Sequence, residues 1–107
     1  MNRGEVWYVN FDPSIGGEIQ KVRPAVVVSN NVSNKHLNRV QVIPITSNTE
    51  NLYPSEAYIC LNGQQRKAMA DQIASVSKQR MSKKIGIIAK EDLQKIEKAL
   101  KTQLAIT

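Results

Sequence analysis

The fold is decided by the stretch Val22–Ser29, which reads VRPAVVVS. Its apolar run is short and rich in β-branched valine, so it predicts a strand buried on both faces rather than a helix. Pro24 fits only at the start of such a strand, because proline cannot donate a hydrogen bond in the middle of a sheet. Arg23 therefore stands at the mouth of a rigid strand. A guanidinium that stays charged at pH 7 suits a phosphate there better than a proton transfer.

A second predicted strand, Val40–Ile45, ends in a comparable way, because the hydroxyls of Thr46 and Ser47 follow it directly. Pro44 within this strand indicates an edge, a bulge or a bend. If the two strands lie side by side, Arg23 and both hydroxyls lie together at one end of the sheet.

Strand signals dominate the first four-fifths of the chain, and the last element is a helix. Further strands are predicted at Glu5–Phe11, Ser55–Leu61, Ala68–Val76 and Ile85–Ile88, with brief helical turns within Asn30–Lys35 and Ser77–Lys83. Asn62-Gly63 is a strong turn pair. The helix Lys90–Gln103 has an apolar stripe at helical spacing. This pattern lacks βαβ alternation and predicts a mainly β fold, a small and strongly bent antiparallel sheet or barrel with a C-terminal helix.

The length and composition predict one globular domain over residues 1–107. An apolar fraction of 41% and a charged fraction of 22% are typical of such proteins. The chain has neither a membrane-length apolar run nor a signal-peptide core, so the expected location is the cytoplasm, away from membranes. The single cysteine, Cys60, lies in an apolar run and is predicted to be a buried structural thiol.

The excess positive charge is confined to one segment. The net charge is +6, and residues 66–90 hold seven Lys and Arg residues opposed only by Asp71. Such a block favours a polyanion as partner, and nucleic acid is the commonest soluble one. A solvated basic face that maintains solubility explains the charge block equally well.

The sequence lacks the motifs of several common classes of catalytic site. The sequence has no Cys/His cluster and no acidic triplet, so neither a metal site nor a cofactor is predicted. It has no GxxxxGK[ST] or GxGxxG loop, and its one histidine, His36, lies in a polar stretch with no carboxylate close in sequence. Arginine, hydroxyls, amides and a few carboxylates remain as the available functional groups.

One reaction class runs on that set, namely cleavage of RNA by its own 2′-hydroxyl. The enzyme then holds the attacking oxygen in line and stabilises charge on the phosphoryl oxygens, which suits Arg23 and Thr46. A salt bridge at a strand end for Arg23 and a turn-capping hydroxyl for Thr46 are the structural alternatives.

The residues also resemble a known family, the MazF/PemK endoribonuclease toxins. The matching segments are Arg3–Trp7 (RGEVW), Phe11–Pro13 (FDP), Gly16–Glu18 (GGE), Arg23–Ser29 (RPAVVVS), Ile45–Ser47 (ITS) and Ala70–Ile73 (ADQI), followed by the amphipathic helix. They span essentially the whole chain in the family's order.

The resemblance implies an SH3-like, partly open barrel, a homodimer with an RNA groove at its interface, and control by a cognate antitoxin. It implies metal-independent, sequence-specific cleavage of single-stranded RNA to a 2′,3′-cyclic phosphate and a 5′-hydroxyl. Arg23 and Thr46 match the family's catalytic pair, and Glu18, in a glycine-rich loop, matches an acid important for activity. The implied RNA-binding residues are Ser47, Asp71, Gln72, Asn30 and Arg80.

The chain departs from part of the family at the positions for acid/base groups. Some relatives use a histidine in the first loop, where this chain has Ile19 and Gln20, and an aspartate-arginine pair near position 70, where this chain has Ile73. The group that removes the 2′-hydroxyl proton therefore stays open, with Glu18 as the best carboxylate candidate. A gyrase-poison-like toxin on the same barrel and a plain RNA-binding barrel are the alternative functions.

Overall fold

The computed structural model describes residues 1–12, 16 and 21–107. The strands of this part are β1 (Glu5–Asn10), β2 (Val22–Val27), β3 (Arg39–Thr46), β4 (Glu56–Leu61), β5 (Gln64–Met69), β6 (Ala74–Ser77) and β7 (Met81–Ile87). The helices are α1 (Asn31–His36) and α2 (Lys90–Gln103), and 3-10 turns occupy Ala70–Gln72 and Lys78–Arg80. Neither described helix has the length and apolarity needed to cross a membrane.

The strands form one curved antiparallel sheet with the order β4-β5-β3-β2-β1-β7. Strand β3 is central, because it pairs with β2 along one side and with β6 and then β5 along the other. The hairpin between β4 and β5 turns on Asn62 and Gly63, whose φ angles of 52° and 80° are those of a tight two-residue turn. The predicted antiparallel, partly open barrel with a C-terminal helix is confirmed.

Pro44 lies inside the central strand rather than at an edge. On one side of β3, residues 39–42 pair with β6 and residues 45–46 pair with β5, so Pro44 falls where the partner changes. Its side chain is fully buried. The ladder is interrupted at this point, which accommodates a residue without an N–H donor. Of the three predicted alternatives, an edge, a bulge or a bend, the edge is therefore wrong, and the proline marks the change of partner.

The sheet packs against two apolar clusters, one on each face. Alternate residues of β2 and β3 point to opposite faces. Val26 and Ile43 pack in the cluster that α2 covers with Ile96, whereas Val27 and Val42 belong to the other cluster. A strand that is buried on both faces needs a continuous apolar run, which is what the Val22–Ser29 segment supplies.

The strand predicted at Ala68–Val76 is wrong as a single element. The chain leaves β5 at Met69, turns through Ala70–Gln72 and starts β6 at Ala74. Polar residues on β5 (QQRKAM) hid that strand, because only part of it faces the core. The helical turn predicted within Ser77–Lys83 is confined to Lys78–Arg80, and β7 begins directly after it.

Cys60 is exposed, so the prediction of a buried thiol is wrong. Strand β4 alternates, with Ile59 and Leu61 turned to the core and Cys60 turned outward between them. The backbone N–H of Cys60 donates to the Asp92 carboxylate of α2 at 2.9 Å, which fastens the helix to this strand.

Candidate RNA-cleavage site

Arg23 and Thr46 are brought together by the register of β2 and β3. The paired residues of this ladder are Ala25 with Pro44, Val26 with Ile43 and Val27 with Val42. Continued by two residues, the same register sets Arg23 opposite Thr46. Opposed residues of an antiparallel pair point to the same face with their Cβ atoms about 5 Å apart. A guanidinium and a hydroxyl thus share one end of the sheet.

The pairing of β2 with β1 shows on which face of the sheet Arg23 lies. Arg23 pairs with Val9 of β1, which is fully buried, and Arg23 itself is exposed. Phe11 lies two residues beyond Val9, so it is a diagonal neighbour of Arg23 on that face. Phe11 packs against the second apolar cluster. The guanidinium therefore emerges at the rim of this cluster.

The Thr46 hydroxyl has a local hydrogen bond and still offers its proton. Its Oγ1 accepts from the backbone N–H of Asn48 at 3.2 Å, the turn-capping contact that the residue type also suggested. A hydroxyl that accepts one bond can still donate through its own hydrogen. Ser47 follows beyond the strand end and is exposed.

A cleft of about 390 Å³ holds three more of the predicted residues together. Asp71 and Gln72, on the first 3-10 turn, line it with Arg80 and Phe11. Arg80 donates from Nη1 to the carbonyl oxygens of Asn10, at 2.9 Å, and of Asp12. Because Phe11 borders both this cleft and the Arg23 face, the two places are contiguous.

One predicted residue, Asn30, is not part of this arrangement. Asn30 lies beyond the other end of β2, seven residues from Arg23, which is roughly 23 Å along an extended chain. Its side-chain oxygen accepts from the backbone N–H of Ser33 at 2.9 Å and so caps α1. Glu18, the candidate base, lies outside the described residues.

The basic block of residues 66–90 does not form one surface. Arg66, Lys83 and Lys84 line a cleft of about 440 Å³ with Tyr8. Lys78 and Arg80 donate to backbone carbonyl oxygens, so their first role is structural. The concentration of charge that the sequence shows is therefore divided among clefts and internal contacts.

Lys67 is the residue that sequence reasoning missed. It is directly opposite Thr46 on β5 and only 6% exposed. Its ammonium lies 3.1 Å from the Glu56 carboxylate and donates to the carbonyl oxygen of Asn51 at 2.7 Å. The Asn62-Gly63 turn was the available signal, because counting back from that hairpin pairs Lys67 with Tyr58 and brings Glu56 within diagonal reach.

Among residues 1–12, 16 and 21–107, no three His, Cys, Asp or Glu side chains are grouped closely enough to hold a metal ion. The groups assembled at the sheet end are a guanidinium, hydroxyls, a carboxylate and an amide. Such groups bind and stabilise an anion and read hydrogen-bonding edges.

A family model described as the PemK-like, MazF-like toxin of type II toxin–antitoxin systems matches residues 2–104. The chain belongs to this toxin family. A relative, the endoribonuclease MazF9 of Mycobacterium tuberculosis, is 38% identical over an aligned length of 113 residues. The alignment covers 97% of this chain and 96% of that protein.

Solved structures show the family's fold as well. MazF of Deinococcus radiodurans superposes with a TM-score of 0.88 and 25% identity, covering 99% of this chain and 97% of that one. A mycobacterial endoribonuclease, solved in complex with its cognate antitoxin, superposes with a TM-score of 0.84 and 23% identity over 100% and 97% of the two chains. Arg23 and Thr46 thus lie on a sheet whose architecture the family shares.

Proposed function

We propose that this protein is the toxin of a type II toxin–antitoxin pair, and that it cleaves single-stranded RNA, including mRNA, at a specific sequence without a metal ion. The observation that carries the proposal is the register of β2 and β3, which sets Arg23 opposite Thr46 when it is continued two residues beyond the pair of Ala25 and Pro44. Membership of the toxin family and the endoribonuclease name of the relative support the activity.

The proposed step is an attack of the RNA 2′-oxygen on the adjacent phosphorus. The new P–O2′ bond forms while the P–O5′ bond breaks, so the products are a 2′,3′-cyclic phosphate and a 5′-hydroxyl. A base takes the 2′-hydroxyl proton, and the leaving 5′-oxygen gains one. Arg23 stabilises the charge on the non-bridging oxygens, and the Thr46 hydroxyl donates to the same group. Glu18 is our candidate for the base.

The cleft next to this pair is the proposed base-reading surface. A carboxylate and an amide, from Asp71 and Gln72, bond the edges of unstacked bases, and Ser47 adds a hydroxyl beside Thr46. Arg80 contributes positive charge at the cleft wall from a position fixed by its bonds to β1. Asn30, which caps α1, has no place in this proposed surface.

We propose that the toxin acts in the cytoplasm as a homodimer, with the RNA groove along the dimer interface, and that a cognate antitoxin silences it. The mycobacterial structure with the same fold was solved with its antitoxin, which supports this mode of control. Analytical ultracentrifugation of the purified protein measures the dimer directly.

The deciding experiment incubates the purified protein with a long single-stranded RNA in excess EDTA. Discrete fragments with 5′-hydroxyl ends are expected. Arg23→Ala should lower kcat/KM by at least about a hundredfold, because it removes charge stabilisation in the transition state. Arg39→Ala is the matched control, since Arg39 is an exposed arginine at the opposite end of β3.

Fragments that require magnesium, or that survive in the Arg23→Ala variant, would defeat the proposal. RNA that is bound but stays intact would indicate the plain RNA-binding alternative. Inhibition of DNA gyrase with no RNA cleavage would indicate the gyrase-poison alternative.

A further inference from the structure

A groove of about 520 Å³ lies between helix α2 and the start of β4 with the chain segment before it. Leu52, Tyr53 and Tyr58 line one wall, and Lys95 and Lys98 line the other. Tyr53 is 60% exposed and Leu52 is 48% exposed. An accessible aromatic ring on one wall and two cations on the other form a surface of distinct chemistry.

Tyr53 is held in place although it is exposed. Its backbone N–H donates to the Glu56 carboxylate at 3.0 Å. Its ring centroid lies 5.8 Å from the Lys67 ammonium, within the range of a cation–π contact. The ammonium is fixed in turn by Glu56 and by the Asn51 carbonyl. A ring that is already oriented loses little conformational entropy when a ligand stacks on it.

This groove lies two strands away from Thr46 of the proposed cleavage site. Thr46 pairs with Lys67 on β5, and Lys67 pairs with Tyr58 on β4. Two strand spacings separate β3 from β4, about 10 Å, roughly the span of a nucleotide or two in an extended single strand. An RNA strand that leaves the scissile phosphate across β5 therefore arrives at Tyr53.

The charge of the groove matches such a strand. Lys95 and Lys98 are exposed on α2. Among the described residues one acid, Glu56, lines the groove, and it is already paired with Lys67. Lys95 also lies 3.6 Å from Asp92, a contact that leaves Lys98 as the stronger candidate for a phosphate. A base on the aromatic wall and a phosphate on the lysine wall is the arrangement that a single-stranded nucleic acid requires.

We propose that Tyr53 is a stacking platform for an unpaired base flanking the cleaved bond, with Lys67 as its positioning residue and Lys98 at the adjoining phosphate. The inference rests on the proposed function, since it extends the RNA path of that same site. It assigns part of the sequence preference to a residue outside the base-reading cleft.

The test uses Tyr53→Ala, with Tyr53→Phe as the variant that keeps the ring and Leu104→Ala as the control for an exposed apolar residue outside the groove. The mapped cleavage sequence is synthesised with 2-aminopurine at each flanking position in turn, and with 2′-deoxyribose at the scissile nucleotide to keep it intact. The fluorescence of one flanking position should be quenched by the wild type and by Tyr53→Phe, but not by Tyr53→Ala.

The kinetics give a second readout. Tyr53→Ala should raise KM for the cleavable RNA about tenfold with kcat unchanged, because stacking on a flanking base binds substrate without touching the reacting atoms. Leu104→Ala, which is exposed and outside the groove, should leave both constants unchanged. Lys67→Met should raise KM in the same direction, and Lys98→Ala should reduce the salt dependence of binding.

Each outcome decides between the two proposals. A wild type that cleaves no RNA would overturn both the function and this inference. Cleavage that persists while Tyr53→Ala keeps the wild-type KM and the wild-type quenching overturns the inference alone. Unchanged RNA kinetics in that variant, together with lost binding of a synthetic acidic, leucine-containing peptide, would assign the groove to a protein partner and likewise overturn it.

Discussion

The indole N–H of Trp7 donates to the carboxylate of Glu5 at 3.0 Å, from two residues further along the same face of β1. Glu5 is only 7% exposed, and Lys84 of the neighbouring strand lies 3.3 Å from its other oxygen. Burial by itself raises the pKa of this carboxyl, but the hydrogen bonds from Trp7, the Asn2 backbone and Lys84, with the charge of Lys84, outweigh it and hold the pKa below 4.5.

A lowered pKa in the folded state makes Glu5 a source of pH-dependent stability. The ionised form is favoured by folding, so its contribution is fully present above the unfolded-state pKa and is lost as the pH falls through the lower, folded-state value. The free-energy gap between wild type and Glu5→Gln should therefore be largest at neutral pH and shrink below about pH 4.5. Urea unfolding across this range measures it. Glu50→Gln, at an exposed site, is the control, and a gap that grows in acid would contradict the assignment.

Asn30 should behave as a helix cap. Its side chain accepts the Ser33 N–H, so Asn30→Ala is expected to cost about 1 kcal/mol of stability, whereas Asn30→Asp retains most of it. Thermal unfolding reports the loss, and RNA affinity measured at a temperature where both proteins are folded should not change. An affinity loss in the Asn30→Ala variant would show that this residue contacts RNA after all.

The buried pair of Lys67 and Glu56 should show strong coupling. Lys67→Met leaves a carboxylate with little solvent around it, and the expected loss is about 3 kcal/mol. The double variant with Glu56→Gln should be more stable than the sum of the single changes predicts, because no charge is left unpaired. A double-mutant cycle by urea unfolding provides the coupling energy, and simple additivity would argue that the pair contributes nothing.

The stability gained from packing α2 on the sheet should depend mainly on the side chain of Ile96. Ile96 is fully buried in the cluster between the helix and the sheet, so Ile96→Ala should cost about 2–5 kcal/mol. Ile106, beyond the helix and 56% exposed, is the matched control, and its change to alanine should stay within about 0.5 kcal/mol. Equal effects at both positions would mean that the packing of α2 on the sheet is not what stabilises it.

The sequence predicted those elements in which the apolar residues are the buried ones. The strand predicted at Pro24–Ser29 follows from its apolar run and is found as Val22–Val27, and the helix Lys90–Gln103 follows from its apolar stripe. The proximity of Arg23 and Thr46 follows once their strands are taken as neighbours. Strand β5 was missed because its outward residues are polar and its inward ones few. The exposure of Cys60 could not be predicted from its apolar neighbours, since an apolar run on an edge strand still turns every second side chain outward.

The sequence pattern could not predict which charged residues are buried. Nothing local distinguishes Lys67, which is buried, from Lys83, which lines an open cleft. Only the registers of β3, β5 and β4 determine that difference, and a register depends on residues far apart in the chain.

The change of partner at Pro44 has a consequence for the order in which this protein folds. Strand β3 is the only described strand that pairs with three others, and the partners β5 and β6 are bound on either side of one proline. Neither half of the sheet can dock before β3 is in place, so contacts of this strand should be native-like in the folding transition state, with φ-values above those of the β1–β7 ladder. Closure between β1 and β7, which joins Glu5 to Ile87, then follows as a late and slow event.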